Sequence, residues 1–93
     1  MKQFYVYIVT NKYRTTFYVG VTNDLNRRSI EHNESKGSKF TSKYNLTDLV
    51  YYEIYIDINL AISREKQLKS WKKDWKLKLM KDLNPNLETI QLI

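Results

Sequence analysis

The stretch YVYIVTNKYRTTFYVGVTN, residues 5–23, decides how the fold begins. Residues around it alternate between two faces, with Phe4, Val6 and Ile8 on one face and Tyr5, Tyr7 and Val9 on the other. Residues 11–15 are polar and turn-like, and residues 17–21 form a second strand-like run. The pattern predicts an antiparallel β-hairpin. Gly20 lies inside its second strand, where glycine usually marks a bulge or a close approach by another group.

The middle of the chain predicts a helix, a loop and a third strand. Residues 22–24 offer N-cap side chains for a helix that runs through His32. A polar segment that contains Gly37 and several serines follows at residues 33–45 and predicts a loop. Residues 46–56 are rich in β-branched and aromatic side chains, which favours a strand.

The last part of the chain predicts helix. Residues 57–59 provide a helix start, and a helical period continues from Leu60 to Leu83 without glycine or proline. A break is expected near residues 72–74, because one helix of that length is unusual in so small a domain. The element order β-β-α-β-α-α predicts an α/β (α+β) fold in one domain over residues 1–93, with a small three-stranded antiparallel sheet flanked by helices.

Composition narrows the function classes. The chain has no cysteine, which excludes disulfides, thiolate zinc sites and a cysteine nucleophile. It has no export signal and no run near the roughly eighteen apolar residues of a membrane helix, so we expect a cytoplasmic protein. The net charge of +6 favours a polyanionic partner, nucleic acid first, although a merely basic surface is as good an interpretation of charge alone.

One carboxylate interrupts an apolar helical stripe. At helical spacing, one face of the long helical segment carries Ala61, Glu65, Leu68, Trp71, Trp75 and Leu79. A carboxylate among core side chains is costly unless it is paired, hydrogen-bonded or bound to a metal. Glu65 therefore predicts either a salt bridge to a core-facing arginine, which is the simpler interpretation, or a ligand for a hard divalent cation.

Two further features point to phosphate. Arg28 and His32 lie four residues apart and share a helix face, where arginine can clamp a phosphate and histidine can relay a proton. A lone histidine is nevertheless more often a surface residue. The segment REKQLKSWKKDWKLKLMK, residues 64–81, has eight basic and two acidic residues. It indicates either a solvated helix face or a track for a nucleic-acid backbone, with Lys69, Lys72 and Lys73 as candidate substrate-binding residues.

Together these residues resemble the GIY-YIG nuclease superfamily, and most of all its small single-domain bacterial members. The resemblance covers about residues 4–85 and rests on specific spacing. Its motifs are Tyr5-Val6-Tyr7, Tyr18-Val19-Gly20, Arg28, His32 and Glu65. It implies the GIY-YIG endonuclease fold and metal-dependent hydrolysis of phosphodiester bonds in DNA, in a structure-specific or repair-related role, without a small-molecule cofactor.

The resemblance also implies roles for individual residues. Tyr7 matches a tyrosine proposed as general base, and Tyr18 matches one that positions water and phosphate. Arg28 matches the arginine that holds the scissile phosphate, and His32 takes a place that assists proton transfer. Glu65 matches the glutamate that binds one Mg²⁺ or Mn²⁺.

Gly20 matches the motif glycine and implies close approach by backbone or substrate. Three positions depart from the pattern. The first motif has Tyr5 in place of glycine, Val21 stands where some members have lysine, and Leu77 stands where some have asparagine. The alternative function is therefore a catalytically weak nucleic-acid-binding module. The complete set of five site residues favours the nuclease, because a binding module does not need it.

Overall fold

A three-stranded antiparallel sheet organises the chain, as the sequence predicts. The computed structural model describes residues 2–34 and 39–92, with the backbone alone for residues 39 and 40. Its elements in chain order are β1 (Phe4–Thr10), β2 (Phe17–Thr22), α1 (Leu25–Asn33), α2 (Lys39–Lys43), β3 (Asp48–Tyr55), α3 (Ile58–Ser70) and α4 (Lys73–Leu83). The α+β class is confirmed.

Strand β1 lies at the centre of the sheet, in the order β2-β1-β3. In the predicted hairpin Tyr7 pairs with Gly20 and Val9 pairs with Tyr18, so these four side-chain positions share one face. On its other edge β1 pairs with β3, with a register irregularity between Ile8 and Val9. A central strand pairs on both edges, and β1 is buried from Val6 to Thr10.

Both faces of the sheet are covered, so the tyrosine face of β1 is not a solvent face. One core lies under α3 and α4 and contains Val6, Ile8, Val19, Val50, Tyr51, Ala61, Leu68, Met80 and Leu87. The other core contains Tyr7, Val9, Leu25, Leu46 and Leu49, with Ile90 and Leu92 of the C-terminal segment packed against it. Leu25 comes from α1, which places that helix against the tyrosine face.

Side-chain caps fix the starts of α1 and α3, as predicted. Asp24 accepts a hydrogen bond from the backbone N–H of Arg27, and Asp57 accepts one from Asn59. Helix α4 ends at Leu83, before Pro85. None of the helices in the described ranges is both long enough and apolar enough to span a membrane.

The expected break in the last helical segment falls at Trp71 and Lys72, both of which have extended backbone. This break changes the helical phase. The prediction that Trp75 belongs to the core stripe is therefore wrong, because α4 turns that side chain outward and leaves it 55% exposed. Leu68 and Trp71 do pack at the core as expected.

The loop prediction for residues 33–45 is only partly right. Residues 39–43 form the short helix α2, while residues 35–38, which include Gly37, lie outside the described residues. Thr41 and Leu46 are buried. Tertiary packing of this segment thus outweighs the local preference of a polar, serine-rich sequence for a loop.

A carboxylate of β3, Glu53, is paired with Arg64 of α3. The Nε and Nη2 groups of Arg64 donate to its two oxygens at 2.9 and 3.0 Å. The hydroxyls of Tyr51 and Tyr55 donate to it as well. Burial alone would raise the pKa of Glu53, but these hydrogen bonds, with that of Arg64 first, lower the pKa below its usual range.

We expect Arg64→Ala to lower the free energy of unfolding by about 2 kcal/mol, because it leaves the half-buried Glu53 carboxylate without its cation. Urea denaturation at neutral pH measures the change. Lys66→Ala, an exposed residue of the same helix, is the control and should change stability by no more than about 0.5 kcal/mol. Equal stabilities for the two variants would show that the Glu53–Arg64 pair does not hold α3 to the sheet.

Candidate active site

Three of the predicted site residues meet at one hydroxyl group. Tyr7 is 1% exposed, and its phenol oxygen accepts a hydrogen bond from Nε of Arg28 at 3.0 Å. The same oxygen lies 3.2 Å from Nε2 of His32, in a buried hydrogen bond. The central strand supplies the tyrosine and α1 supplies both partners, one helical turn apart. The four-residue spacing of Arg28 and His32 thus places both side chains on one face of α1, as the sequence predicted.

Gly20 makes room for this arrangement. A Cβ atom built on Gly20 would overlap Cζ and Oη of Tyr7, because the phenol ring lies directly across the glycine of the neighbouring strand. The resemblance implied an approach by backbone or substrate at this glycine. The group that approaches in the structure is the side chain of Tyr7.

Arg28 also reaches the surface. Its Nη1 group donates to Glu31 at 3.3 Å, and about a quarter of its side chain is exposed. It lines a shallow cleft of about 350 Å³ together with Asn23 and Thr22 from the end of β2. Glu31 was not singled out from the sequence, although its position three residues after Arg28 on a helix is a signal for an ion pair.

His32 is buried, not a surface residue as lone histidines usually are. It is 1% exposed, and its ring lies 5.6 Å from the ring of Tyr7 and 6.3 Å from that of Tyr18. Burial, and next the positive charge of Arg28, lower the pKa of His32 to about 4. The imidazole is therefore neutral at pH 7. Within the described part of the chain, its buried Nδ1 atom has no hydrogen-bond partner.

Tyr7 is a neutral phenol at physiological pH. Burial raises its pKa above the ordinary value of 10.0, Arg28 opposes this, and the charges of Tyr18 and Glu65 add to the rise. The general-base role that the resemblance implies for Tyr7 requires cations or hydrogen bonds that stabilise the phenolate, and Arg28 and His32 are the two side chains in contact with it. Of the two side chains only Arg28 carries charge, and burial outweighs it, so a phenolate at this position needs a further cation close by.

Glu65 lies on α3 beside the edge strand β2, near enough to Tyr7 for its charge to raise the pKa of that phenol. Its side chain is 17% exposed and lies 3.5 Å from Nζ of Lys69, which is itself 5.5 Å from the ring of Tyr18. The partner of Glu65 is thus a half-exposed lysine, and the predicted core-facing arginine pairs with Glu53 instead. An ion pair to so exposed a lysine is weak, and a cation can replace it.

The carboxylate of Glu65 provides only part of what a hard divalent cation needs. Among residues 2–34 and 39–92, no three His, Asp or Glu side chains cluster as a ready-made metal site. Mg²⁺ is commonly held by one or two carboxylates, with water and substrate phosphate in the other positions. Glu65 is suited to be such a single ligand. The protein alone would then bind the cation weakly, and substrate would complete the site.

Two of the three candidate substrate-binding lysines, Lys69 and Lys73, lie at the same edge of the sheet. Nζ of Lys73 donates to the carbonyl of Thr15 at 2.7 Å and lies over the ring of Phe17. Lys72 is exposed at the N-cap position of α4. Lys69 beside Glu65 and Lys73 beside Phe17 therefore place two of the three candidate lysines at β2.

Comparison with known proteins finds a matching family and similar relatives. Residues 3–78 match the family model described as the GIY-YIG catalytic domain. A UPF0213 protein of Staphylococcus epidermidis is 35% identical over 82 residues, which cover 88% of this chain and 99% of that protein. A UPF0213 protein of Haloquadratum walsbyi is 36% identical over 84% of this chain and 86% of its own length.

A solved structure is similar as well. The solution NMR structure of a UPF0213 protein from Bacillus halodurans superimposes with a TM-score of 0.59 at 27% identity. The match covers 90% of this chain and 88% of the other. The three-stranded sheet with its flanking helices is therefore shared with an experimentally determined relative.

The burial of His32 predicts an acid-shifted titration. His32 is the only histidine, so its ring-proton NMR resonances are unambiguous, and we expect a midpoint near pH 4. Because the folded-state pKa is depressed, its contribution to stability is complete above about pH 6.5 and is lost as pH falls toward 4. The loss amounts to about 3 kcal/mol. His32→Gln keeps the carboxylates that titrate nearby and should remove this part of the slope. A midpoint near 6.5 would contradict a buried imidazole.

The glycine contact predicts a second outcome. Gly20→Ala should push the Tyr7 ring away from Arg28 and His32 and lower the free energy of unfolding by about 1–3 kcal/mol. The histidine resonance should shift, because its hydrogen bond is lost. Val21→Ala, at the next position of β2, serves as the control and should leave that resonance in place. Unchanged histidine and tyrosine spectra in Gly20→Ala would refute the close approach.

Proposed function

The chain belongs to the GIY-YIG catalytic domain family, and from that membership we propose that it is a metal-dependent endonuclease that hydrolyses phosphodiester bonds in DNA. The observation that carries the proposal is the convergence of Arg28 and His32 on the hydroxyl of Tyr7, with the charge of Glu65 close enough to raise the pKa of that hydroxyl. The family accounts for nuclease chemistry in general. Metal dependence, DNA as the substrate and the residue roles below are our proposal.

Arg28 holds the scissile phosphate in this mechanism. It is held by Tyr7 through Nε and reaches the cleft at the end of β2, so its guanidinium is fixed before substrate arrives. A phosphate oxygen can replace the Glu31 carboxylate on Nη1, since that ion pair is long and partly exposed. Lys69 adds positive charge on the other side of Tyr18.

Tyr7 and His32 move the proton. As the attacking water loses its proton to the phenol oxygen, the phenol passes its own proton to Nε2 of His32, which the 3.2 Å hydrogen bond permits. A pKa near 4 makes His32 a poor acceptor while Arg28 is unneutralised. A bound phosphate offsets the charge of Arg28 and so removes one of the two causes of the low pKa. Substrate binding thus makes the acceptor more basic.

Glu65 and Tyr18 complete the site. Glu65 would hold Mg²⁺ or Mn²⁺, which supplies Lewis-acid stabilisation of the negative charge that develops on the phosphate. Tyr18 is half-buried beside His32 and under Lys69, in a place from which it orients water and phosphate. A role on branched or damaged DNA, and a cytoplasmic setting where such DNA is found, belong to the same proposal.

One observation favours the weaker alternative, a nucleic-acid-binding module with little catalysis. Val21 lines the cleft beside Arg28, where some family members have a lysine that would help to ionise the tyrosine. The raised pKa of Tyr7 also makes this phenol harder to ionise, which favours the binding module. Under this alternative the lysines beside β2, Lys69 and Lys73, bind nucleic acid, and cleavage stays slow with every metal.

The substitution Glu65→Ala distinguishes the two functions. We expect Mg²⁺- or Mn²⁺-dependent cleavage of a panel of duplex, branched and single-stranded DNA and RNA to fall at least about a hundredfold. DNA binding without metal should be retained, because the substitution removes a negative charge from the surface beside Lys69.

Glu88→Ala is the matched control, since it removes an exposed carboxylate of the C-terminal segment and should cleave as the unaltered protein does. Equal cleavage by the Glu65→Ala and Glu88→Ala variants would remove Glu65 from the mechanism. Absence of cleavage across the panel, with binding intact in the unaltered protein, would favour the binding module.

A further inference from the structure

The cleft that Arg28 lines contains a second arginine, Arg27, which has no role in the site described above. The cleft has a volume of about 350 Å³. The two arginines of α1, the end of β2 and the first residues of β1 and α3 line it. Because Arg28 also donates to the hydroxyl of Tyr7, this cleft opens directly onto the buried tyrosine of the candidate active site.

Arg27 differs from the other three arginines of the chain, each of which is paired with a carboxylate. Those pairs are Arg14 with Asp48, Arg28 with Glu31, and Arg64 with Glu53. Over residues 2–34 and 39–92, the guanidinium of the exposed Arg27 has no ion-pair or hydrogen-bond partner, and only its backbone N–H donates to the Asp24 side chain. All of its side-chain donors are therefore available to an anion that enters the cleft.

The charges that line the cleft have the same sign. Its two charged residues are Arg27 and Arg28, and no carboxylate of the described residues lines it. Glu31 neutralises only Arg28, through an ion pair of 3.3 Å. A single phosphate on Arg28 would leave the charge of Arg27 uncompensated, so the cleft favours an anion with a second negative group close by. Two successive phosphates of one strand meet this requirement, because the Cα atoms of consecutive residues are only about 3.8 Å apart.

Apolar side chains complete the lining of the cleft. Phe4 and Val21 are half-buried there, and Ile58 is 38% exposed. The sugar and base between two phosphates of a nucleic acid can cover such side chains, whereas an inorganic polyphosphate has no apolar group to place against them. The volume of the cleft falls within the range of about 300–1,000 Å³ that is usual for ligand pockets. Charge and apolar surface together therefore fit a segment of a polynucleotide strand.

We propose that Arg27 binds the phosphate next to the scissile one on the same strand, and that Ile58 contacts the nucleoside between these two phosphates. The inference rests on the proposed function and deepens it, because it requires a substrate strand with at least two successive phosphates. Arg28 keeps the scissile phosphate beside Tyr7 in this arrangement. Arg27 fixes the path along which the strand leaves the site.

Binding without metal tests the phosphate contact without any cleavage. The affinity for a short, labelled single-stranded thymidine oligonucleotide is measured by anisotropy over a range of salt concentrations. Arg27→Gln should bind at least about fivefold more weakly at low salt, and the slope of log K against log salt should become smaller by about 0.7, the share of one phosphate contact in a single strand. Arg27→Lys keeps the charge, so it should keep the slope and recover most of the affinity. The ring-proton resonances of His32 should stay in place in both variants, which shows that α1 is intact.

Lys81→Gln is the matched control for charge, because it removes one cation from an exposed helix position that does not line the cleft. It should lower the affinity by less than about twofold. The phosphate contact is overturned if Arg27→Gln binds as the unaltered protein does, or if it loses no more affinity than Lys81→Gln.

The variant Ile58→Ala tests the nucleoside contact. It should bind the oligonucleotide about two- to threefold more weakly, because less apolar surface is buried. Its affinity for inorganic polyphosphate should equal that of the unaltered protein, since polyphosphate carries no nucleoside. Full affinity of Ile58→Ala for the oligonucleotide would overturn this contact, and so would an equal loss with polyphosphate.

The outcomes distinguish this inference from the proposed function. Metal-dependent cleavage that requires Glu65, with unchanged binding and KM in Arg27→Gln, leaves the nuclease and removes the second phosphate contact. Binding that requires Arg27, with no cleavage under any metal, leaves the contact and removes the nuclease.

Discussion

The hydroxyl of Tyr7 is the point on which the site depends. It is buried in the central strand, accepts a hydrogen bond from Arg28 and shares one with His32. This geometry requires a glycine at position 20, since any side chain there would occupy the space of the phenol ring. It also requires α1 to lie against the tyrosine face of the sheet, which Leu25 secures by its burial in the second core. Fold and site are therefore specified by the same contacts.

Burial dominates the electrostatics of this site. It raises the pKa of Tyr7 and lowers the pKa of His32, so both groups are neutral although a guanidinium lies beside them. At rest neither member of this hydrogen-bonded pair carries a buried charge. The charged groups, Arg28, Glu65 and Lys69, lie at the margin of the site, where their side chains are partly exposed to solvent. This division would suit the proposed reaction on a polyanion, because the charged groups lie outside and the neutral hydrogen-bonded pair lies inside.

Much of this arrangement was predictable from local patterns. Period-two alternation predicts β1, the Asp caps predict the starts of α1 and α3, and the four-residue spacing predicts that Arg28 and His32 act on one side. The errors have a common cause. Trp75 leaves the core because Trp71 and Lys72 break the helix and change its phase, and α2 forms because Thr41 and Leu46 are buried. Both effects depend on packing between distant segments, which a local window does not contain.

The sequence by itself determined the order of the elements and which residues of the hairpin share a face. It also determined the residue types that can bind a phosphate. Strand and helix periods and cap chemistry are local properties, so a sequence pattern contains them. Only the tertiary structure decided what those residues meet. The Tyr7 ring lies against Gly20, and the burial of His32 lowers its pKa to about 4. Arg64 pairs with Glu53, and Lys69 pairs with Glu65. These outcomes depend on which distant groups share a low-dielectric space, and that is settled when the sheet and helices pack together.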